Sequence, residues 1–170
     1  DFGDQNLHYL LSSIHIATEK ACYKEIALDF SRCTASFPSA MLGLCAQVMN
    51  KRVFGCDFNL VLPNERSLYR LFINANWAHL IDPSRYNPST FRGYTQVPAT
   101  QYKNPDEQQS SVNRIVNAIL GAIPEMERAD FAAFEWSINE VTDNVLTHAN
   151  SQIGGIVQVS TFQRNKKIVQ

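Results

Sequence analysis

The chain has 170 residues, 45% of them hydrophobic, and its 15 Lys and Arg residues nearly balance 16 Asp and Glu residues, giving a net charge of -1. This hydrophobic content predicts a folded chain with a buried core and argues against disorder. The basic residues are scattered, and no run of them, Lys166-Lys167 included, is longer than two, so nucleic-acid binding is not indicated.

No apolar run reaches the roughly 18 to 20 residues that span a bilayer, and the first residues lack the basic and then apolar pattern of a signal peptide. We therefore expect no membrane partner and a cytoplasmic location. The cysteines stand singly in apolar segments, without the close pairs typical of metal and redox sites. We expect four buried thiols in a reducing compartment, at Cys22, Cys33, Cys45 and Cys56.

The first half of the chain alternates between strand and helix patterns. Residues 7–18 fit a helix but could also begin a strand, and this segment stays open. The predicted order after it is strand, helix, strand and helix, over residues 25–30, 40–52, 58–62 and 65–80, with Asn64 capping the last helix. This order is typical of parallel strands joined by crossover helices, so we assign this half to the α/β class. Trp77 and His79 are interpreted as core residues.

Residues 82–98 are rich in Pro, Ser, Thr and Asn and show little hydrophobic periodicity, which predicts an inter-domain linker. We place a boundary near Gln96 and expect two domains, residues 1–96 and residues 97–170. The predicted elements of the second domain are, in order, an edge strand at 97–102, a helix from Asn104 to Gly121, a longer helix from Pro124 to about Ala149, a strand at 156–162 and a hairpin turn at 163–167 into another strand.

The long helix has an apolar face and a polar face side by side. Its apolar face, which we expect to cover the core, carries Phe134, Ile138, Val141 and Val145. At about 100° per residue, a neighbouring face carries a carboxylate, a carboxamide, a hydroxyl and an imidazole, from Glu140, Asn144, Thr147 and His148. Such a stripe is often only the solvated side of an amphipathic helix. Here, however, Asn144 is a poor helix former in mid-helix, and a Gly-containing loop and an alternating strand follow.

The string S-I-N-E-V-T-D-N-V-L-T-H-A at residues 137–149 resembles the N-box of the GHKL superfamily, which includes histidine kinases, gyrase-type topoisomerases, mismatch-repair ATPases and anti-sigma-factor serine kinases. Glu140 and Asn144 form its E-x-x-x-N core, and its N-x-x-x-H-A ending is most similar to the histidine-kinase and anti-sigma branches. The resemblance covers about residues 97–170. It implies the N-terminal half of a GHKL (Bergerat-type) α/β sandwich.

The resemblance also implies a role for each polar residue of the stripe. Asn144 would ligate the Mg²⁺ that bridges the phosphates of ATP, and Glu140 would activate water or a hydroxyl for attack on the terminal phosphate. His148 would lie near the phosphates, whereas Thr147 stands where many histidine kinases have a basic residue. The chain contains no D-x-G-x-G motif and no Gly-rich lid, so we expect it to be part of a longer protein and, by itself, to bind Mg-ATP weakly or not at all and to be inactive.

Residues 26–41, I-A-L-D-F-S-R-C-T-A-S-F-P-S-A-M, resemble the strand, turn and helix of STAS domains, in which a GHKL kinase phosphorylates a serine at the start of the helix. Here the phosphoacceptor position falls on Pro38, with Ser39 one step later. This STAS-like domain is therefore expected to act as an interaction surface. Ser36 and Ser39 are expected to cap the helix.

Together these features predict an ATP-binding regulatory protein that, when complete, hydrolyses ATP or phosphorylates a protein partner in a regulatory switch. Two alternatives stay open: a non-catalytic STAS-like interaction module, and a DNA-processing GHKL ATPase, which would need a basic surface. Because an incomplete sheet would leave the long helix uncovered, we also expect a homodimer in which a second copy covers Phe134, Ile138 and Val141.

Overall fold

The computed structural model describes residues 1–91, 96–123, 128–162 and 167–169. The chain divides into two compact units, Asp1–Phe91 and Arg92–Gln170; the sequence-based boundary stood near Gln96. Both units combine helices with a small sheet, so the predicted α/β class is confirmed. Within the described ranges, no helix combines the length and the apolar character needed to cross a membrane.

The N-terminal unit begins with a helix, which settles the segment that the sequence left open. Its elements are, in chain order, α1 (Asp4–His15), a π-helical extension (Ile16–Lys20), β1 (Glu25–Asp29), α2 (Pro38–Val53), β2 (Asp57–Val61), α3 (Arg66–Asn74) and α4 (Trp77–Ile81). The predicted order is confirmed, except that the last helix is divided into α3 and α4 at Asn76, whose φ of 68° is left-handed. β1 and β2 are parallel, with Leu28 opposite Leu60, and α2 connects them.

The core of this unit lies around α2, which packs against α1, α4 and β2. Leu28 and Leu60 are buried, as the alternation of the strands requires. A row of aromatic rings in edge-to-face contact, with centroids 5.2 to 5.4 Å apart, links the start of the chain to α3 and α4: Phe2, Phe30, Phe72 and Trp77. Each such contact stabilises the core by about 0.5 to 1.5 kcal/mol beyond burial alone.

The cap of α3 differs from the prediction. Glu65, and not Asn64, precedes the first helical residue, and its carboxylate accepts hydrogen bonds from the backbone N–H groups of Ser67 at 3.0 Å and Leu68 at 2.7 Å. The hydrogen bonds from Ser67 hold the pKa of Glu65 below its usual value. The backbone N–H of Asn64 instead donates to the carbonyl of Ser31. The prediction failed because α3 begins at Arg66, which leaves Asn64 one residue before the capping position.

The prediction of four buried thiols is only partly correct. Cys45 and Cys56 are buried, Cys33 is half-buried and Cys22 is exposed. Complete burial raises the pKa of the Cys45 thiol well above its usual range. Cys22 follows the π-helical extension in a left-handed conformation with a φ of 57°, which turns the chain toward β1 and leaves the side chain in solvent.

Residues 82–91 are not the linker that their composition predicted. The side chain of Asp82, 1% exposed, accepts hydrogen bonds from the backbone N–H of Leu60 at 3.0 Å and the hydroxyl of Ser84 at 2.7 Å. The hydroxyl of Tyr86 donates to the carbonyl of Leu60 at 3.1 Å. This segment therefore closes the free edge of β2. The backbone carbonyl of Tyr86 also lies 2.9 Å from Nδ1 of His79, which has the satisfied ring nitrogen expected of a core histidine.

The C-terminal unit contains an antiparallel sheet in the order β3-β4-β5 with two helices. Its elements are β3 (Val97–Tyr102), α5 (Pro105–Ala122), α6 (Arg128–His148), β4 (Gly155–Phe162) and β5 (Lys167–Val169). The predicted strand at 97–102 is confirmed and forms one edge of this sheet. Asn104 caps α5 by accepting a hydrogen bond from the backbone N–H of Glu107 at 2.9 Å. The predicted start of the long helix at Pro124 and most of the predicted hairpin turn, 163–166, lie outside the described residues.

The core of the C-terminal unit forms where α5 and α6 cover β3 and β4. Its buried members are Val97, Ile115, Ala118, Ile119 and Val159, and the half-buried Phe134 and Ile138 pack against them. Val141 is 63% exposed, so its assignment to the core-facing side of α6 is wrong. Thr142, the next residue, is buried in its place.

Candidate functional site

Polar contacts fix the rotation of α6 about its axis. The hydroxyl of Thr142 donates to the carbonyl of Ile138 at 2.8 Å, and its oxygen accepts from Nε2 of Gln108 on α5 at 2.6 Å. The hydroxyl of Tyr102, at the end of β3, donates to the carbonyl of Thr142 at 3.3 Å. Three elements therefore meet at one residue of α6. Buried polar groups paired in this way stabilise one specific arrangement of the elements that carry them.

A glycine makes room for one of these contacts. Gly155 opens β4 opposite Tyr102 of β3, and a Cβ atom built on Gly155 would overlap the ring of Tyr102. Any other residue at this position would push the ring aside. Burial raises the pKa of the Tyr102 hydroxyl, which keeps it protonated and able to donate to α6.

Glu140 and Asn144 lie on the opposite, exposed side of α6. Nδ2 of Asn144 donates to Oε1 of Glu140 at 3.4 Å, one helical turn away. The amide group of Asn144 is thereby oriented with its nitrogen toward the carboxylate, and its oxygen Oδ1 is left for another partner. The described residues include no group of three or more His, Cys, Asp and Glu side chains that could hold a metal ion unaided.

Thr147 and His148 lie in the last turn of α6, and both are exposed. In the described part of the chain, no hydrogen bond joins either of them to Glu140 or Asn144. The four polar residues that were predicted to share one face of α6 are therefore all exposed. Within the described residues, Glu140 and Asn144 are the only two of the four that a hydrogen bond joins.

A cleft of about 260 Å³ borders Glu140 on the side away from Asn144. Its walls come from the first half of α5 and the middle of α6: Gln108, Trp136, Asn139, Glu140 and Asp143. Trp136 is 68% exposed although it is the largest side chain of the cleft. Of these residues, only Glu140 was predicted from the sequence to belong to a site. The available signal was the spacing of Trp136, Glu140 and Asp143, which places them along one side of a helix.

The start of α2 does not fit a phosphorylation switch. Pro38 occupies the first helical position and has no hydroxyl, while Ser36 is buried and lies 3.4 Å from the thiol of Cys33. The hydroxyl of Ser39 donates to Asp4 at 3.1 Å, beside a negative charge that would repel a phosphate. The prediction that Ser36 or Ser39 caps α2 is wrong, because the N-cap residue is Phe37 and no side chain makes a capping hydrogen bond.

The exposed face of α6 thus brings together a carboxylate and a carboxamide whose orientation is set by buried contacts on the other side of the helix. A carboxylate can accept a proton or a cation, and an amide oxygen can bind a hard cation such as Mg²⁺. No family model matches the chain, and no curated protein or solved structure is significantly similar to it.

Proposed function

We propose that α6 supplies the N-box of a GHKL-type nucleotide site, in an ATP-binding regulatory protein that hydrolyses ATP or phosphorylates a protein partner. The observation that carries this proposal is the contact between Asn144 and Glu140 on an exposed face of a helix whose other face is held in the core. An exposed pair of this kind contributes little to stability. The resemblance of residues 137–149 to an N-box supports a role for the pair in binding or catalysis.

The donor chemistry of the pair fits Mg-ATP. Mg²⁺ binds few protein oxygens and completes its coordination with water and phosphate oxygens, so one amide oxygen from Asn144 is an appropriate ligand. Glu140 is exposed and forms no ion pair with a described residue, so its carboxylate is available to accept a proton from an attacking hydroxyl or water. Mg²⁺, when bound, would neutralise charge on the phosphates. His148 and Thr147 would extend the site toward the phosphates, and Thr147 would contribute no charge there.

The N-terminal unit would be the STAS-like partner-binding part of this regulator. Its parallel β1 and β2, connected by α2, supply the strand, turn and helix expected for such a domain. Because Pro38 cannot accept a phosphate and Ser36 is buried, we propose that this unit binds a protein partner without being phosphorylated at the start of α2.

The proposal is tested with the full-length protein, by calorimetric titration with Mg-ATP and by phosphate release. Glu140→Gln should leave the affinity for Mg-ATP nearly unchanged and slow turnover about 100-fold or more, because a general base acts on the attacking group. Asn144→Ala should weaken Mg-ATP binding about tenfold, through loss of a metal ligand. Ser137→Ala is the matched control, because Ser137 is exposed on α6 and, among the described residues, its hydroxyl donates only to the carbonyl of Ala133.

Three results would contradict the proposal. Equal loss of affinity in Glu140→Gln and Asn144→Ala would show that Glu140 and Asn144 do not have separate roles in catalysis and in binding. No Mg-ATP binding by the unmodified full-length protein would favour the non-catalytic interaction module. Tight DNA binding that weakens steeply with salt would favour a DNA-processing ATPase.

A further inference from the structure

The cleft beside Glu140 has an unusual set of polar groups. Gln108 is only 7% exposed, and its Nε2 is within 2.6 Å of the Thr142 hydroxyl oxygen. The Thr142 hydroxyl already donates its hydrogen to the carbonyl of Ile138. Its oxygen therefore accepts from the amide nitrogen of Gln108. Two oxygens of Asn139, at 3.4 and 3.5 Å from the same nitrogen, favour the same orientation of the amide.

This orientation leaves the carbonyl oxygen of Gln108 without a donor. No described residue donates a hydrogen bond to Oε1 of Gln108, while Nε2 carries all of the hydrogen bonds of this side chain. Because every fully buried side-chain oxygen or nitrogen in the described residues has a partner, Oε1 has to retain contact with the open space of the cleft. An acceptor held on a nearly buried side chain is a prepared binding group.

The remaining polar groups of the cleft are also mainly acceptors. Glu140 and Asp143 lie three residues apart on α6, where like charges repel each other, and neither forms an ion pair with a described residue. The amide nitrogen of Asn139 already donates to the carbonyl of Glu135 at 3.1 Å. A bound cation would relieve the repulsion and supply the missing donors.

Trp136 adds an aromatic surface to the same cleft. It lies one turn before Glu140, and its side chain is 68% exposed. An indole ring attracts cations through its π-electron face, and a guanidinium group can stack on it while its N–H groups bind carboxylates. The tetrahedral ammonium group of lysine cannot form both contacts in this planar manner.

The geometry points to a binding site for a guanidinium group, in which Trp136 stacks on the cation while Gln108 and Asp143 accept its hydrogen bonds. The source is an arginine side chain of a polypeptide or a free small guanidine. The site shares Glu140 with the proposed nucleotide site but needs neither Asn144 nor a nucleotide. It therefore goes beyond the proposed function and can be tested separately from it.

The test is an NMR titration of the 170-residue chain without nucleotide, using N-acetyl-arginine amide as the probe. The indole N–H signal of Trp136 should shift with a dissociation constant on the order of 1 mM. The indole signal of Trp77 should stay in place, because this residue is 0% exposed in the other unit. N-acetyl-citrulline amide, the neutral analogue, and N-acetyl-lysine amide should each bind about tenfold more weakly or not at all.

Two variants distinguish the loss of a charge inside the cleft from a change in the net charge of the protein. Asp143→Asn should weaken binding of the arginine probe about tenfold, since it removes a charged acceptor from an exposed position without disturbing the core. Asp130→Asn removes the same charge from the same helix outside the cleft and should leave the affinity unchanged. Equal effects of the two variants, or equal binding of the citrulline or lysine analogue, would overturn the assignment.

The source of the guanidinium is distinguished with two further probes. A Gly-Arg-Gly peptide with blocked ends should bind more tightly than agmatine if the site recognises a polypeptide. Equal or tighter binding of agmatine would support a free small guanidine. Failure of both probes to shift the Trp136 signal would refute the site.

Discussion

The hydrogen bond between Gln108 and Thr142 should contribute strongly to the stability with which α6 packs in the C-terminal unit. Thr142→Val keeps the shape of the side chain but removes the oxygen that accepts from Nε2 of Gln108 at 2.6 Å. The next acceptors, both on Asn139, lie at 3.4 and 3.5 Å, too far to replace it fully. Leaving this nearly buried amide group without a good partner should destabilise the C-terminal unit by about 2 kcal/mol.

The second half of this prediction is a double-mutant cycle. Gln108→Leu removes the donor but leaves the Thr142 hydroxyl bonded to Ile138, so it should cost only about 1 kcal/mol. With both partners replaced by apolar groups, the combined loss should be smaller than the sum of the single losses by about 1 kcal/mol.

The assay is native-state hydrogen exchange of the α6 amides in the whole chain, which reports local opening without assuming that the two units unfold together. A loss of about 2 kcal/mol corresponds to roughly 30-fold faster exchange. Thr147→Val is the matched control, because it makes the same change at an exposed position of α6 and should alter stability by less than about 0.5 kcal/mol. Additive losses in the double variant, or equal losses in Thr142→Val and Thr147→Val, would refute the reasoning.

Three further predictions concern burial and assembly. Asp82→Ala should destabilise the N-terminal unit by about 3 kcal/mol, because it leaves the buried backbone N–H of Leu60 unpaired, and denaturant unfolding followed by fluorescence should show a lower midpoint if this is correct. A thiol reagent should label Cys22 quickly and Cys45 only on unfolding, since the first is exposed and the second is buried with a raised pKa; mass spectrometry showing equal rates would contradict this. The homodimer stays a prediction, but of the three residues expected to be covered by a second copy only Val141 is left exposed, because Phe134 and Ile138 pack against the core of their own unit. Sedimentation at micromolar concentration should show a dimer that Val141→Glu dissociates, whereas a clean monomer would rule it out.

The elements that could be predicted from the sequence are those with strong local signals. Asn104 and Pro105 mark the start of α5 because one caps the helix and the other fits its first turn. The alternation after Gly155 marks β4 for an equally local reason. Such signals depend on neighbouring residues in the chain, so they can be recognised before any tertiary contact is known.

The linker prediction failed because its signal was compositional. Proline and serine residues around Asp82 and Tyr86 indicate irregular backbone, which is what the structure contains. Composition does not show whether irregular backbone is free or packed. That depends on Leu60, more than twenty residues earlier, whose backbone groups pair with both side chains.

The face of α6 was assigned from hydrophobicity, and the error at Val141 shows what that method cannot detect. Hydrophobicity favours Val141 over Thr142 as a core residue, yet Thr142 is buried because Gln108 and Tyr102 provide partners for its polar groups. Two residues correspond to about 200° around a helix, so burying Thr142 places Glu140 on the opposite side. Val141, which was wrongly assigned to the core, is thus next to Thr142, whose burial leaves Glu140 exposed to solvent.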